Sequence, residues 1–190
     1  MKKLATALLM ALSLPALAAL EVAGVKFEDK VKVGASDTVI NGAGLRNRAF
    51  FKVYALGLYL PQKASATADV LAAKGAKRIA IVTLRDLTAE EFVDALISAL
   101  KKNHDEPTLK ALQPKIDQFR STMLTIGNAP EKSVVNLDWL PDTGTRLSFN
   151  GAQKGTDIAG EDFYRALLRI WLGDNPAQDD LKEKLLGKTS

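Results

Sequence analysis

Residues 50–60, Phe-Phe-Lys-Val-Tyr-Ala-Leu-Gly-Leu-Tyr-Leu, carry the longest strand-like pattern in the chain. Successive side chains of a strand point to opposite faces. Phe50, Lys52, Tyr54, Leu56, Leu58 and Leu60 therefore share one face, and Phe51, Val53, Ala55, Gly57 and Tyr59 share the other. Both sets are largely apolar, which marks a central strand in a sheet covered on both sides. Pro61 has no N–H to give to a ladder and ends the run. Upstream, Val25 to Val33 alternates apolar with charged residues and predicts an edge strand or the first arm of a hairpin. Gly34-Ala35-Ser36-Asp37 then reads as a turn and Thr38-Val39-Ile40 as a short strand. That strand leads into a Gly-rich turn, Asn41-Gly42-Ala43-Gly44-Leu45-Arg46.

Downstream the period changes. Ser65 or Thr67 is positioned to cap a short helix through Ala73, with Gly75 as its stop. Arg78 to Leu84 is a β-branched run. Thr88-Ala89-Glu90-Glu91 has the form of a capping box, and Phe92, Ala95, Leu96, Ala99 and Leu100 follow at helical spacing. Two further helical pieces are predicted over Asp105 to Leu112 and Pro114 to Leu124, because proline is tolerated in a first turn and not in a helix interior. Ser133 to Leu140 and Thr145 to Asn150 read as strands, and Asn150-Gly151 as a hairpin turn into another strand through Asp157. Phe163, Ala166, Leu167, Ile170 and Trp171 define an amphipathic helix from about Glu161 to Leu172, stopped at Gly173. A last helix begins at Asn175-Pro176 and docks through Leu181, Leu185 and Leu186. Strands joined as hairpins, then helices, then strands and helices again, give an α+β class with a mainly antiparallel sheet.

The N-terminus stands apart from this pattern. Met1-Lys2-Lys3, the apolar stretch Leu4 to Leu14 and the small residues of Ala16-Leu17-Ala18 are the three parts of a cleaved secretory leader. The reading is a signal peptide at residues 1–18, a single domain at 19–190, and a periplasmic product without stable membrane insertion once the leader is cut. Of the formal charge of +4, Lys2 and Lys3 supply two. The remainder is too small to imply nucleic acid or a membrane surface as a partner. With no cysteine, thiol catalysis and thiolate metal sites are excluded. Gly42-x-Gly44 lacks the Lys-Ser/Thr of a phosphate loop and the third glycine of a dinucleotide fingerprint. His104 is the only histidine and has no ligand set nearby, so neither metal nor cofactor is expected, and solvated surface is its expected state.

Arg46 is the leading candidate for chemistry, because a guanidinium is always charged and its planar fork binds a carboxylate or polarised carbonyl. A salt bridge to one of the chain's acids is the competing role, and Arg48 is the nearest substitute. Tyr54 offers a phenolic donor on the adjoining strand, with core packing as its alternative. Trp139 and Trp171 read as core residues.

Gly42-Ala43-Gly44-Leu45-Arg46, followed by Phe51 to Leu60, resembles the signature of the chalcone isomerase superfamily in its bacterial, chalcone isomerase-like branch. Ile158 to Gly173 with Asn175-Pro176 is similar to the superfamily's C-terminal helix and the step after it. The resemblance implies a large curved, mainly antiparallel sheet carrying a layer of helices, an open-faced β-sandwich. It also implies that Arg46 matches the arginine that meets the oxyanion in the plant enzymes, and that Tyr54 stands where those enzymes carry a catalytic threonine. The plant enzymes' Tyr, Lys and Asn along one helix correspond to Phe92, Ala95 and Ala99, and a Thr-Met pair corresponds to Ile170-Trp171. The paired Arg46 and Tyr54 resemble the carboxylate latch of the superfamily's fatty-acid-binding members. The expectation is an exported protein that binds a small apolar carboxylate or phenolic ligand, fatty-acid-like or aromatic, its tail lying against Phe50 and Leu56. The alternatives are an isomerase or intramolecular lyase acting on an unsaturated carbonyl of chalcone type, and an envelope partner protein with a vestigial pocket.

Overall fold

The structure is a computed structural model and describes residues 19–188, so the leader read at residues 1–18 lies outside the described residues. The domain begins with a small hairpin of β1 (Leu20–Val22) and β2 (Val25–Phe27), turning through Ala23 and Gly24 at φ of 51° and 83°. Val25 to Val33 is therefore not one strand. Phe27 ends β2, and a separate β3 (Lys30–Val33) opens the main sheet, because Glu28-Asp29 redirects the chain between two different ladders.

The larger correction concerns the Gly-rich segment, which is not a turn. β4 runs unbroken over Ser36–Arg48 and pairs with β5 (Phe51–Leu60) from Val39 opposite Leu60 to Arg48 opposite Phe51. The reversal is the two residues Ala49-Phe50, and Ala49 takes a φ of 52° there. Neither Gly42 nor Gly44 has positive φ. They are small because another element lies on them, as described below.

A short α1 (Thr67–Ala72) follows, with no side-chain cap from either expected residue; the Thr67 hydroxyl instead donates to the Leu172 carbonyl at 2.9 Å. β6 (Lys77–Thr83) returns along β5. After the two-residue β7 (Leu87–Thr88), α2 (Ala89–Lys101) opens on the capping box: the Glu91 N–H donates to Thr88 Oγ1 at 3.1 Å and Glu91 Oε2 accepts from the Thr88 N–H at 3.3 Å. α3 (Glu106–Leu124) is one helix with Pro114 inside it, not two pieces. Pro114 and Lys110, the residue whose carbonyl loses its partner, both face solvent, where water can take the missing donor's place.

β8 (Asn128–Ala129) pairs with β7. β9 (Val134–Leu140), β10 (Gly144–Phe149) and β11 (Ala152–Ile158) complete the sheet; Asn150 and Gly151 turn the last hairpin with φ of 49° and 82°. α4 (Glu161–Leu172) has the predicted bounds, and α5 (Asp179–Leu185) starts a few residues later than the Asn175-Pro176 step implied.

The strand order is β11-β10-β9-β6-β5-β4-β3, antiparallel throughout, and the sheet curls into a half-barrel. The parity of β5 decides what covers each face. Tyr54, Leu56, Leu58 and Leu60 enter the main core with Phe92 and Leu96 of α2, Ile116 and Phe119 of α3, and Phe163, Leu167 and Trp171 of α4. Ala55 and Tyr59 face the other way, into a smaller cluster with Phe27, Ile40, Ala43 and Ala80. Gly57 lies on that second face, where an added Cβ would stand 2.6 Å from the Phe27 ring. At the edge of the helical layer α5 crosses β4 closely: a Cβ on Gly42 would lie 2.0 Å from the Lys184 carbonyl oxygen, and one on Gly44 2.7 Å from Leu181 Cδ1.

The candidate functional site

The β4–β5 hairpin brings Arg46 and Tyr54 opposite one another as a cross-strand pair. The register slips between Arg46 and Asn47, a bulge of the kind that re-aims side chains. Here it exposes the Asn47 N–H and carbonyl to tertiary partners. Arg46 Nη1 donates to the Asn47 carbonyl at 2.6 Å and to Gln178 Oε1 at 3.1 Å, while the same Oε1 accepts the Asn47 N–H at 2.8 Å. Gln178 Nε2 donates to the Leu45 carbonyl at 3.1 Å and to Asp180 Oδ1 at 2.6 Å. Gln178, the N-cap residue of α5, thus fastens the C-terminal segment to β4 at the guanidinium.

Beside this pair lies a cavity of about 540 Å³. Arg46, Arg48, Val53 and Tyr54 form its strand side, Phe92, Ala95 and Ala99 of α2 its opposite wall, and Ile170 of α4 with Pro176 and Ala177 closes it. The size falls within the usual range for small-molecule sites. The three α2 residues aligned with polar positions in the plant enzymes are all in the lining, and all are apolar. Phe50 and Leu56 are not: Phe50 is fully exposed at the turn and Leu56 is buried within the core. The expectation that a ligand tail would lie on those two residues is corrected, because the turn sits one residue before the strand and carries Phe50 outward.

Tyr54 is buried, with the Phe92 ring edge-on at a centroid separation of 6.0 Å. Trp171 Nε1 donates to Tyr54 Oη at 2.9 Å. The phenol oxygen is therefore already an acceptor, while its own hydrogen meets no acceptor among the described residues. Burial raises the Tyr54 pKa above its ordinary 10.0, against the opposing effects of the Trp171 hydrogen bond and the Arg46 charge. At neutral pH Tyr54 is a protonated donor.

Arg46 is half-buried and bonds only neutral acceptors; among the described residues it has no carboxylate partner. The two acids in the cavity lining are engaged elsewhere, Glu91 in its capping box and Asp94 with Arg120. Arg46, Arg48, Arg85 and Lys102 supply positive charge around the same space. The arrangement can accept an anionic oxygen at the guanidinium, donate a neutral hydrogen bond beside it, and bury apolar surface against α2.

The remaining candidates lie elsewhere. His104 is half-buried rather than solvated: its Nε2 is 3.4 Å from the Ala166 carbonyl, and burial lowers its pKa while that carbonyl opposes the shift. Trp139 is core, tilted against Tyr164 at 6.1 Å. A polar pair missed in the sequence is Lys77, fully buried, with Nζ 2.9 Å from Glu161 Oε1 at the start of α4. Burial lowers the Lys77 pKa and Glu161 restrains the fall. Burial alone would raise the Glu161 carboxyl, but Lys77 and Arg165 together bring it below its ordinary value. This pair anchors α4 on β6 away from the cavity.

A half-barrel antiparallel sheet with one helical layer, and between them a cavity of mixed polar and apolar lining that carries several basic side chains, is the class of protein defined so far. The chain belongs to the chalcone isomerase-like family, whose family model matches residues 19–187. No curated protein sequence matches it. Among solved structures, the crystal structure of a fatty-acid binding protein from Arabidopsis thaliana is similar with a TM-score of 0.67 and 17% identity, covering 86% of this chain and 92% of that one. At that identity the likeness establishes the fold.

Proposed function

We propose that this protein is an exported binder of a small apolar carboxylate or phenol, fatty-acid-like or aromatic, with Arg46 receiving the anionic oxygen and Tyr54 donating a second hydrogen bond. The observation that carries the reading is a half-buried guanidinium with no carboxylate partner among the described residues, beside a cavity of mixed lining whose apolar part includes Val53, Phe92, Ala95, Ala99 and Ile170. A charge withdrawn from water without a counter-ion is costly, and an anionic ligand removes that cost. The fatty-acid binding of the Arabidopsis protein with the same fold supports the reading. An isomerase acting on a chalcone-type substrate would require polar groups to move protons and hold water; Phe92, Ala95 and Ala99 supply none, and the α2 acids that do reach the lining, Glu91 and Asp94, are held by the capping box and by Arg120. Among the described residues no helix is long and apolar enough to cross a membrane.

Displacement of a fluorescent long-chain fatty acid provides the test. An unlabelled acid should compete, and the alcohol of the same chain length should need about ten times the concentration or more. Competition by neither, or by both alike, would remove the anion from the proposal.

A further inference from the structure

We infer that the β4–β5 turn is a docking wedge for an anionic lipid surface, set beside the mouth of the cavity. Four large apolar residues stand exposed among the described residues, and two of them, Phe50 and Phe51, are adjacent at this turn. Phe50 is 100% exposed and Phe51 63% exposed. Two-residue hairpin turns favour glycine, asparagine and aspartate. Here Ala49 accepts a φ of 52° and Phe50 occupies the apex, so neither residue type is explained by the turn or by the core.

The surroundings indicate what would cover the wedge. Arg48 and Lys52 flank it on the two strands, and the Arg85 guanidinium lies over the Phe51 ring at 5.7 Å. Lys132, whose N–H donates to the Thr83 carbonyl at 2.8 Å, is on the neighbouring loop; the acids of this region are Asp86, which accepts the Glu131 N–H at 2.8 Å, Glu131 itself, and Glu91 and Asp94, which share the cavity lining with Arg48 and Arg85. The charged side chains immediately at the protruding aromatic apex, Arg48, Lys52 and Arg85, are therefore all basic, and the acids stand farther back. A bilayer interface accepts such a wedge without a shaped pocket, and anionic headgroups attract the flanking cations. Arg48 and Arg85 also line the cavity, so docking would bring its mouth to the lipid. The inference stands independently of what the cavity binds.

Co-sedimentation with vesicles of phosphatidylglycerol and phosphatidylethanolamine, against vesicles of phosphatidylcholine, tests it with wild type, Phe50→Ser and Lys52→Glu. All three proteins carry the same N-terminus, so any contribution from residues 1–18 cancels in the comparison. Wild type should pellet with the anionic vesicles and less so as salt is raised. Phe50→Ser should lower that partitioning about tenfold or more, and Lys52→Glu by roughly tenfold on anionic vesicles only. Phe50→Ser should leave fatty-acid displacement in solution and thermal stability unchanged, since its side chain is fully exposed. Loss of fatty-acid binding in every protein, with docking intact, would refute the cavity proposal and spare this one. Equal pelleting of wild type and Phe50→Ser, no pelleting of wild type, or a wild-type dimer abolished by Phe50→Ser without vesicle binding would each overturn it.

Discussion

In the proposed site, Arg46 and Tyr54 divide two tasks that a single residue performs poorly. The guanidinium supplies permanent charge, and the phenol, kept protonated by burial and oriented by Trp171, supplies a neutral donor. As candidates both were legible in the sequence, Arg46 as an always-charged planar fork and Tyr54 by the strand parity that sends it to the same face as Leu56 and Leu58. Their supports were not. Gln178 sits 132 residues from Arg46, and nothing local in Ala177-Gln178-Asp179 announces that its amide will clasp β4 at Leu45, Arg46 and Asn47. Trp171 was correctly read as buried, but a periodic pattern does not show that an indole N–H will be used. At this scale the apolar side chains at Phe92, Ala95 and Ala99 carry a prediction. Cyclisation of a 2′-hydroxychalcone, followed by absorbance, should proceed no faster with the protein than in buffer; rapid, enantioselective product formation would refute the reading of Phe92, Ala95 and Ala99.

Among the elements, α2 and α4 were read closely because apolar spacing agreed with the capping box that opens α2 and with the Gly173 stop that ends α4. β4 was misread because glycines spaced two apart between polar residues look like a turn, whereas their cause is tertiary: α5 lies against the strand. The same ambiguity of cause applies to Pro114, which breaks a helix only where the freed carbonyl cannot reach water. Gly42→Ala therefore discriminates between the two meanings of glycine. A flexible turn would tolerate it or gain slightly from it. A methyl group directed at the Lys184 carbonyl must instead displace α5, at a cost of about 1–3 kcal/mol. Urea denaturation should show the lower midpoint, and because Gln178 moves with α5, affinity for an apolar acid should fall as well. An unchanged midpoint would contradict the close crossing.

For the whole molecule, the sheet, the helical layer and the C-terminal segment meet at one end, and the cavity lies where they meet. The α+β class and the family were legible from ordered motifs that survive the misread turn, since β4 delivers Arg46 to the same hairpin in either reading. The proposed export is tested on the whole chain: intact mass of the protein recovered from its native host should correspond to a chain beginning at Ala19, and a cytosolic species retaining Lys2 and Lys3 would contradict the periplasmic proposal. The central claim is that Arg46 pays for ligand charge at this junction. Its most direct test is calorimetric titration of wild type, Arg46→Ala, Arg46→Lys and Tyr54→Phe with a fatty acid and its matching alcohol. A charge-assisted hydrogen bond is worth roughly 1.5–3 kcal/mol, so Arg46→Ala should weaken the acid about ten- to a hundredfold and leave the alcohol nearly unchanged. Arg46→Lys should recover part of that loss, because an ammonium keeps the charge without the planar fork, and Tyr54→Phe should cost about 1 kcal/mol. Equal losses for acid and alcohol, or no binding of either by the wild type, would contradict the account.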